Sequence, residues 1–365
     1  MLCCILAGVI VASLTAITDW ALSGMSARVS VIIPTHNRAK LLMRALNSVA
    51  RQTRPADEII VVDDGSTDHT AEMIARHYPN VVYLKQENKG VSAARNRGIR
   101  AATGEWMAFL DSDDEWLDQK LETQIDQLYA NATSSTADGL ADLPKQAGIF
   151  NLQYKLCHTE EIWYRKGRRV NQKKKHEKAG GHIFRRCLPL CCISPSSVII
   201  HRTVFENIGL FDEALPACED YDLWLRVCAA YPVLYIEEPL IAKYGGHADQ
   251  LSQRYWGMDR FRIYALEKII RSNGLTNSNR RAATQMILAK LAIYLTGLQK
   301  RNRDEEFTVY QAKRRYYADL LVSLNQEYCP FLLNLPENSN ISVTNLQYDD
   351  PIFMQLLLLN NGQEK

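Results

Sequence analysis

Charge imbalance is nearly absent from this sequence: 43 lysines and arginines against 41 aspartates and glutamates leave a formal net charge of +2 over 365 residues. Nucleic-acid-binding domains are far more basic, so no nucleic-acid partner is expected. A G-x-G-x-x-G turn is missing after the first strand-like run, where PTHNR stands instead, and this argues against a nicotinamide-binding sheet. The nine cysteines are odd in number and include the adjacent pairs Cys3–Cys4 and Cys191–Cys192, so they do not read as a disulfide framework. Reduced thiols in a cytosolic protein are the simplest account. Cys187, Cys191 and Cys192 lie near His182, but no second ligand pair follows at zinc-finger spacing. Long apolar runs are scarce as well. Residues 2 to 18, LCCILAGVIVASLTAIT, carry no charge. They fall short of the roughly 20 residues of a spanning helix and lack the positive region of a secretory signal. Residues 1 to 28 are therefore expected to be an apolar extension, with Met25 as an alternative start. A cytoplasmic protein, at most peripheral at the inner face of a membrane, is the expectation.

What is present suits a folded α/β protein: 47% of the residues are hydrophobic and 23% charged. β-Branched runs alternate with helical periodicity. VSVII (29 to 33), EIIVV (58 to 62), VVYL (81 to 84) and WMAFL (106 to 110) read as strands. Helical stripes follow at Leu41 to Val49, His69 to Arg76 with Asp68 as cap, Ser92 to Ala102, and Leu117 to Leu128. This order implies right-handed crossovers and a mainly parallel sheet with helices on both faces. Ligands of such sheets bind outside the carboxyl ends of the strands. Every polar cluster falls at such an end: PTHN, DDGSTD, ENKG and DSDD. A strand at SSVIIH (196 to 201), a helix from Thr203 to Gly209 and another from CEDYDLWLR form a second αβ portion, and helices predominate from Trp256 to about Tyr328.

The stretch FLDSDDEW places Asp111, Asp113, Asp114 and Glu115 within five positions, where like charges repel. One account is capping, with Asp113 or Asp114 at the start of the next helix and Glu115 near its positive end. Capping leaves Asp111 and the D-x-D spacing unexplained. Two carboxylates two residues apart on an extended segment can face one cavity, and hard oxygen ligands suit Mg²⁺ or Mn²⁺ together with substrate phosphates. CEDYDLWLR offers carboxylates on a separate segment: an acidic helix start in the bland reading, a general base in the functional one.

VSVIIPTHNR, EIIVVDDGSTD, ENKGVSAARNRGI, GEWMAFLDSDDEW and CEDYDLWLR, in this order, closely resemble the family 2 glycosyltransferases with the GT-A fold. The resemblance covers residues 29 to about 128 and resumes from about 194 to 255. The stretches HTEEIWYRKGRRVNQ and KYGGHADQLSQRYWGMDRFR are similar to a bacterial subgroup of that family. It implies a Rossmann-like, mainly parallel GT-A domain over 29–255, with a nucleotide-binding half at 29–128 and an acceptor half at 147–255. A helical C-terminal region at 256–330 and a tail at 331–365 would follow. It also implies an inverting transfer from a nucleoside-diphosphate sugar, a UDP-sugar first among them, to a hydroxyl acceptor (a glycan, a lipid-linked sugar or another), with Mg²⁺ or Mn²⁺. Carried over to this chain, Pro34 and Thr35 would line the base pocket and Asp63 or Asp64 would hydrogen-bond the base. Asn37, Lys89, Arg95, Asn96 and Ser112 would lie near nucleotide and phosphates. Asp111 would contact ribose or the metal shell, Asp113 would ligate the metal, and His247 would join it there. Asp220 would be the general base, with Glu219 orienting acceptor or base. Sugar-nucleotide pyrophosphorylases and silent nucleotide-sugar-binding modules are the alternatives; the first would show a glycine-rich basic loop in place of PTHNRAK, the second a lost Asp113 or Asp220. The basic run from Arg165 to Lys178 is either a solvated loop or a contact for anionic lipid or a phosphorylated acceptor.

Overall fold

The computed structural model describes residues 27–134, 150–246 and 255–326. The N-terminal extension up to residue 26, His247 and the C-terminal tail lie outside the described residues. In chain order, β1 (Val29–Thr35) leads to α1 (Ala39–Ala50), β2 (Glu58–Asp63) to α2 (Thr70–His77), and β3 (Val82–Lys85) to α3 (Val91–Ala101). β4 (Trp106–Phe109), β5 (Glu115–Trp116) and α4 (Lys120–Ala130) complete the first half. The short pair β6 (Ala132–Ser134) and β7 (Phe150–Leu152) precedes β8 (Leu156–Arg165), β9 (Arg168–Val170) and α5 (Phe184–Cys187). Then come β10 (Ile199–His201), α6 (Arg202–Ile208), α7 (Glu219–Ala230) and β11 (Leu234–Gly245). The chain continues through α8 (Asp259–Arg271), α9 (Asn277–Gln299) and α10 (Asp304–Gln326). The described residues up to Val322 belong to one compact unit; of a second, Ser323–Lys365, only residues 323–326 are described.

The main sheet has the strand order β3-β2-β1-β4-β10-β8-β11-β5, with β9 added on β8. The first four strands run parallel. All seven residues of β1 are buried, as expected of a strand whose both faces are covered by helices. α1 lays Leu42, Ala45, Leu46 and Val49 onto this core. α3 comes closer still: a Cβ on Gly98 would stand 2.4 Å from Ile32 Cγ2, so only glycine allows this helix to rest on β1.

Three strands depart from the parallel expectation, β9 being the antiparallel partner of β8. β10 pairs antiparallel with β4, and β5 antiparallel with β11. The reversal of β10 matters for the site, because it sets the start of β10 beside the end of β4. The segment expected as a strand from 196 is therefore a 3-10 turn over Pro195–Ser197, and the strand begins at Ile199. The acidic cluster also departs from the capping account. Glu115 belongs to β5 and α4 starts only at Lys120, with Gln119 as a cap that makes no side-chain bond. The cause is Trp116, whose fully buried ring and indole bond to the Ser196 carbonyl (2.8 Å) hold this stretch as a strand.

Candidate active site

The carboxyl ends of β1, β2 and β4 deliver their loops to one edge of the sheet. Asn37, in the left-handed region at φ 52°, fastens the first loop to the second. Its amide donates to Ser66 Oγ (2.8 Å), and its side-chain oxygen accepts from Thr67 N (2.8 Å) and Asp68 N (3.3 Å). Asp68 in turn accepts from Thr70 N (3.1 Å) at the start of α2. Asp63 is fully buried and accepts from Ser66 N (2.7 Å) and from the Tyr83 hydroxyl. Asp64 reaches the third loop, accepting from Gln86 Nε2 (2.8 Å), Lys89 N (2.9 Å) and Gly90 N (2.8 Å). Gly65 at φ +82° is required here, because a Cβ would meet Asn88 N at 2.9 Å. Pro34 and Thr35 end β1 in the buried layer, and Thr35 Oγ1 has no partner among the described residues. Lys89 is exposed beside this loop.

Arg95 of α3 is the hinge of the site. Its buried guanidinium donates to Asp111 Oδ1 at 2.7 Å and to Glu219 Oε1 at 2.6 Å. One side chain thus joins the end of β4 to the start of α7. Burial alone would raise the Asp111 carboxyl, but the charge and hydrogen bond of Arg95 hold it below the ordinary carboxylate value. Glu219 goes the other way: its burial, together with the charge of Asp220, outweighs Arg95 and raises it. The neighbouring Asn96 turns elsewhere, donating to the Phe211 carbonyl (2.9 Å) and Glu213 (2.8 Å) and accepting from Phe211 N (3.0 Å).

The remaining acids of the cluster have separate partners. Asp113 pairs with Arg38 at 3.0 Å, and its carbonyl accepts from Arg44, whose guanidinium stacks 3.7 Å over Tyr244. Ser112 is buried between the two cluster acids. Asp114 is buried and accepts from Ser196 Oγ (2.6 Å) and Tyr244 N (3.1 Å). Burial, reinforced by Asp113 and Asp111 against the opposing Lys243, pushes its carboxyl up to about 8. Ser196 Oγ also accepts from Asp111 N (3.1 Å), so the 3-10 turn before β10 grips the acidic loop at two points.

Asp220 lies one residue beyond Glu219. Cys218 just before them adopts φ 62°, a left-handed conformation that costs a non-glycine residue about 1–3 kcal/mol. Asp220 accepts from Tyr221 N (2.7 Å) and from the Cys191 thiol (3.1 Å). Burial and the Asp220 charge keep that thiol protonated, well above its ordinary value, so it acts as a donor. Lys243 of β11 donates to Ser194 Oγ (2.6 Å), and Glu161, Asp114, Asp111 and Asp220 all stabilise its positive charge.

The structure therefore brings Arg95, Asp111, Asp220 and Glu219 into one network and leaves Asn96 on another. Sequence reasoning missed Ser194, Ser196, Cys191 and Lys243; a proline followed by two serines before a strand was the visible signal for one of them. Among the described residues no three His, Cys, Asp or Glu side chains gather around a single point. A Mg²⁺ or Mn²⁺ that bridges phosphates needs only one or two protein carboxylates, with phosphate and water completing its shell. Asp111 and Asp113 carry the hard oxygen donors such an ion takes, although each already faces an arginine, Arg95 and Arg38 respectively, and they form no closed metal cage.

The mainly parallel sheet, the acid cluster at the end of β4 and the second acidic pair on α7 give the architecture of the GT-A fold. Residues 30–191 match the glycosyl transferase family 2 model. A glycosyltransferase of Rickettsia typhi is 32% identical over 215 residues, covering 58% of this chain and 62% of the relative. One of Rickettsia conorii is 31% identical over 230 residues, covering 62% of this chain and 35% of the relative. A putative teichuronic acid biosynthesis glycosyltransferase, TuaG of Bacillus subtilis, is 42% identical over 116 residues, 30% of this chain and 46% of that protein. In fold, the chain is similar to residues 1–349 of S. aureus TarS in complex with UDP-GlcNAc, with a TM-score of 0.54 and 18% identity over 82% of this chain and 91% of that one. Over residues 30–191 the chain is similar to glycosyl transferase family 2. It spans less than two thirds of the length of the Rickettsia relatives it matches.

Proposed function

We propose that this protein transfers a sugar from a nucleoside-diphosphate sugar, a UDP-sugar in the first instance, to a hydroxyl acceptor with inversion at the anomeric carbon. The observation that carries the reading is the Arg95 bridge, which fixes Asp111 on the donor side and Glu219 on the acceptor side through a single guanidinium. In this reading residues 29–255 form the transferase unit and the helices beyond are an extension of it. The orphan hydroxyl of Thr35 and the loops fastened by Asn37, Asp63 and Asp64 provide a pocket for base and ribose. Lys89 stands by the same loops for the phosphates. Asp111 and Asp113, with His247 as a further ligand, would hold a divalent metal, which supplies positive charge against the departing diphosphate. Asp220 takes the proton of the attacking hydroxyl from the face of the sugar opposite the leaving group, the arrangement that inversion requires. Cys191 and the Tyr221 amide fix its orientation.

Replacing Asp220 by Asn tests this directly. Transfer should fall by about 10²–10⁴-fold, the usual contribution of a general base, while donor binding measured by calorimetry stays near wild type. Near-normal transfer by Asp220→Asn would place the base elsewhere. Loss of donor binding along with transfer would mean that Asp220 belongs to the donor pocket.

A further inference from the structure

A cleft of about 400 Å³ opens beside β8 and β9, away from the acid cluster. Trp163 and Glu161 of β8 line one side, and the segment from Asn171 to Lys174 lines the other. The acids in its wall already have partners. Glu161 pairs with Lys178 at 2.5 Å and accepts from Trp163 Nε1 at 2.6 Å. Glu160 accepts from Gln172 Nε2 (2.7 Å) and from the Tyr235 hydroxyl (2.8 Å). The cations differ. All seven lysines and arginines between Arg165 and Lys175 are exposed, and none pairs with a described carboxylate. In a chain with a net charge of only +2, this is a local concentration of positive charge with no carboxylate counterion among the described residues.

Strand register relates the cleft to the site. Trp163 of β8 is in register with Lys243 of the parallel neighbour β11, so the two side chains share one sheet face about 5 Å apart at the backbone. Lys243 stands within the electrostatic reach of Asp111, Asp114 and Asp220. A chain lying across this face would run from the proposed base, past Lys243 and Trp163, onto the cations of the β8–β9 hairpin. The apolar character needed to enter a bilayer is absent: among the described residues, the exposed large apolar side chains all lie outside this segment.

We infer that this cleft holds the acceptor and that the acceptor is an acidic glycan, a sugar chain bearing carboxylate or phosphate groups, with a ring against Trp163 and its charges on the cations between Arg165 and Lys175. The inference rests on the transferase reading and names the substrate class for it.

The test uses the full chain and two variants, Trp163→Ala and the quadruple variant R168Q/R169Q/K173Q/K174Q, which alters only exposed side chains. Binding of labelled polygalacturonate, phosphomannan, neutral dextran and inorganic polyphosphate is followed by fluorescence anisotropy. At least one of the two acidic glycans should bind the wild type, and dextran should not; which of them binds tells carboxylate from phosphate. The quadruple variant should weaken that binding about ten-fold or more, the equivalent of a fraction of a kcal/mol per charge. Trp163→Ala should weaken glycan binding several-fold and leave polyphosphate binding unchanged. Equal binding of dextran, or glycan binding that neither variant weakens, would overturn the inference. So would binding confined to polyphosphate. Thermal shifts with nucleotide sugars are recorded on the same three proteins. Donor stabilisation without glycan binding would overturn the acceptor inference and leave the transferase reading standing. No donor stabilisation in any of them would remove the transferase reading and the acceptor role with it.

Discussion

Arg95 and Cys191 show how individual side chains set the geometry of this site. The Arg95 guanidinium is 4% exposed and the Glu219 carboxylate 7% exposed, so the pair is held almost out of water. Removing one partner of such a buried pair costs about 3–5 kcal/mol, because the other charge is stranded. Arg95→Met should therefore lower the melting temperature by several degrees, and Arg95→Lys, which lacks the planar fork, should recover only part of the loss. A melting temperature unchanged in Arg95→Met would show that the bridge contributes nothing. Cys191 acts on a smaller scale. A hydrogen bond to a charged group contributes roughly 1.5–3 kcal/mol, so Cys191→Ala should reduce turnover about ten-fold without altering the affinity for the donor, whereas Cys191→Ser, which keeps a donor, should restore most of it. Equal losses in both variants would separate Cys191 from the orientation of Asp220. Asp111 stood out in the sequence because an acid cluster follows an apolar run, and Asp220 because CEDYDLWLR carries the family resemblance. The Arg95 bridge from Asp111 to Glu219 was not, since residues 95 and 219 lie far apart in sequence and meet only in the folded chain.

At the level of elements, the four parallel strands followed directly from β-branched runs, and their boundaries moved by only a residue or two. The antiparallel β10 was not legible. Strand direction depends on where the chain re-enters the sheet, and the run at Ile199–His201 looks the same read either way. That reversal is what places Ser196 against Asp111 and Asp114. The capping account failed for a related reason: the pairing of β5 with β11 is a long-range contact that local propensity does not encode. β8 gives a prediction of its own. Burial, with the nearby Lys178 charge, pushes the His158 imidazole down from 6.5 to about 3. Burial would raise Glu161, but Lys178 brings it down from 4.5 to about 2. For both groups the folded value lies below the unfolded one, so the unfolded chain binds more protons in acid. The His158 contribution is complete above pH 6.5 and is lost as pH falls towards 3; that of Glu161 is complete above 4.5 and is lost towards 2. Stability should fall between pH 6.5 and 4 by up to about 1 kcal/mol per pH unit from His158. Urea denaturation of His158→Gln should show a flatter profile between pH 6.5 and 4.5. An equally steep profile in the variant would remove His158 as the cause.

On the scale of the whole molecule, Arg95 joins two acidic segments far apart in sequence, the Thr35 hydroxyl at the end of β1 has no partner among the described residues, and a basic cleft opens beside β8 and β9. Among the described residues no helix is long and apolar enough to cross a membrane. The central claim is that the acid cluster after β4 serves a metal-bound nucleoside diphosphate. The measurement that tests it most directly is thermal denaturation with UDP-, GDP-, dTDP- and CDP-sugars, each with Mn²⁺ and with EDTA. A ligand at a hundred times its dissociation constant adds about 2.7 kcal/mol, enough to raise the melting temperature by a few degrees. The account predicts such a rise for one nucleotide and its disappearance with EDTA. No rise with any donor, or a rise that EDTA leaves untouched, would contradict it.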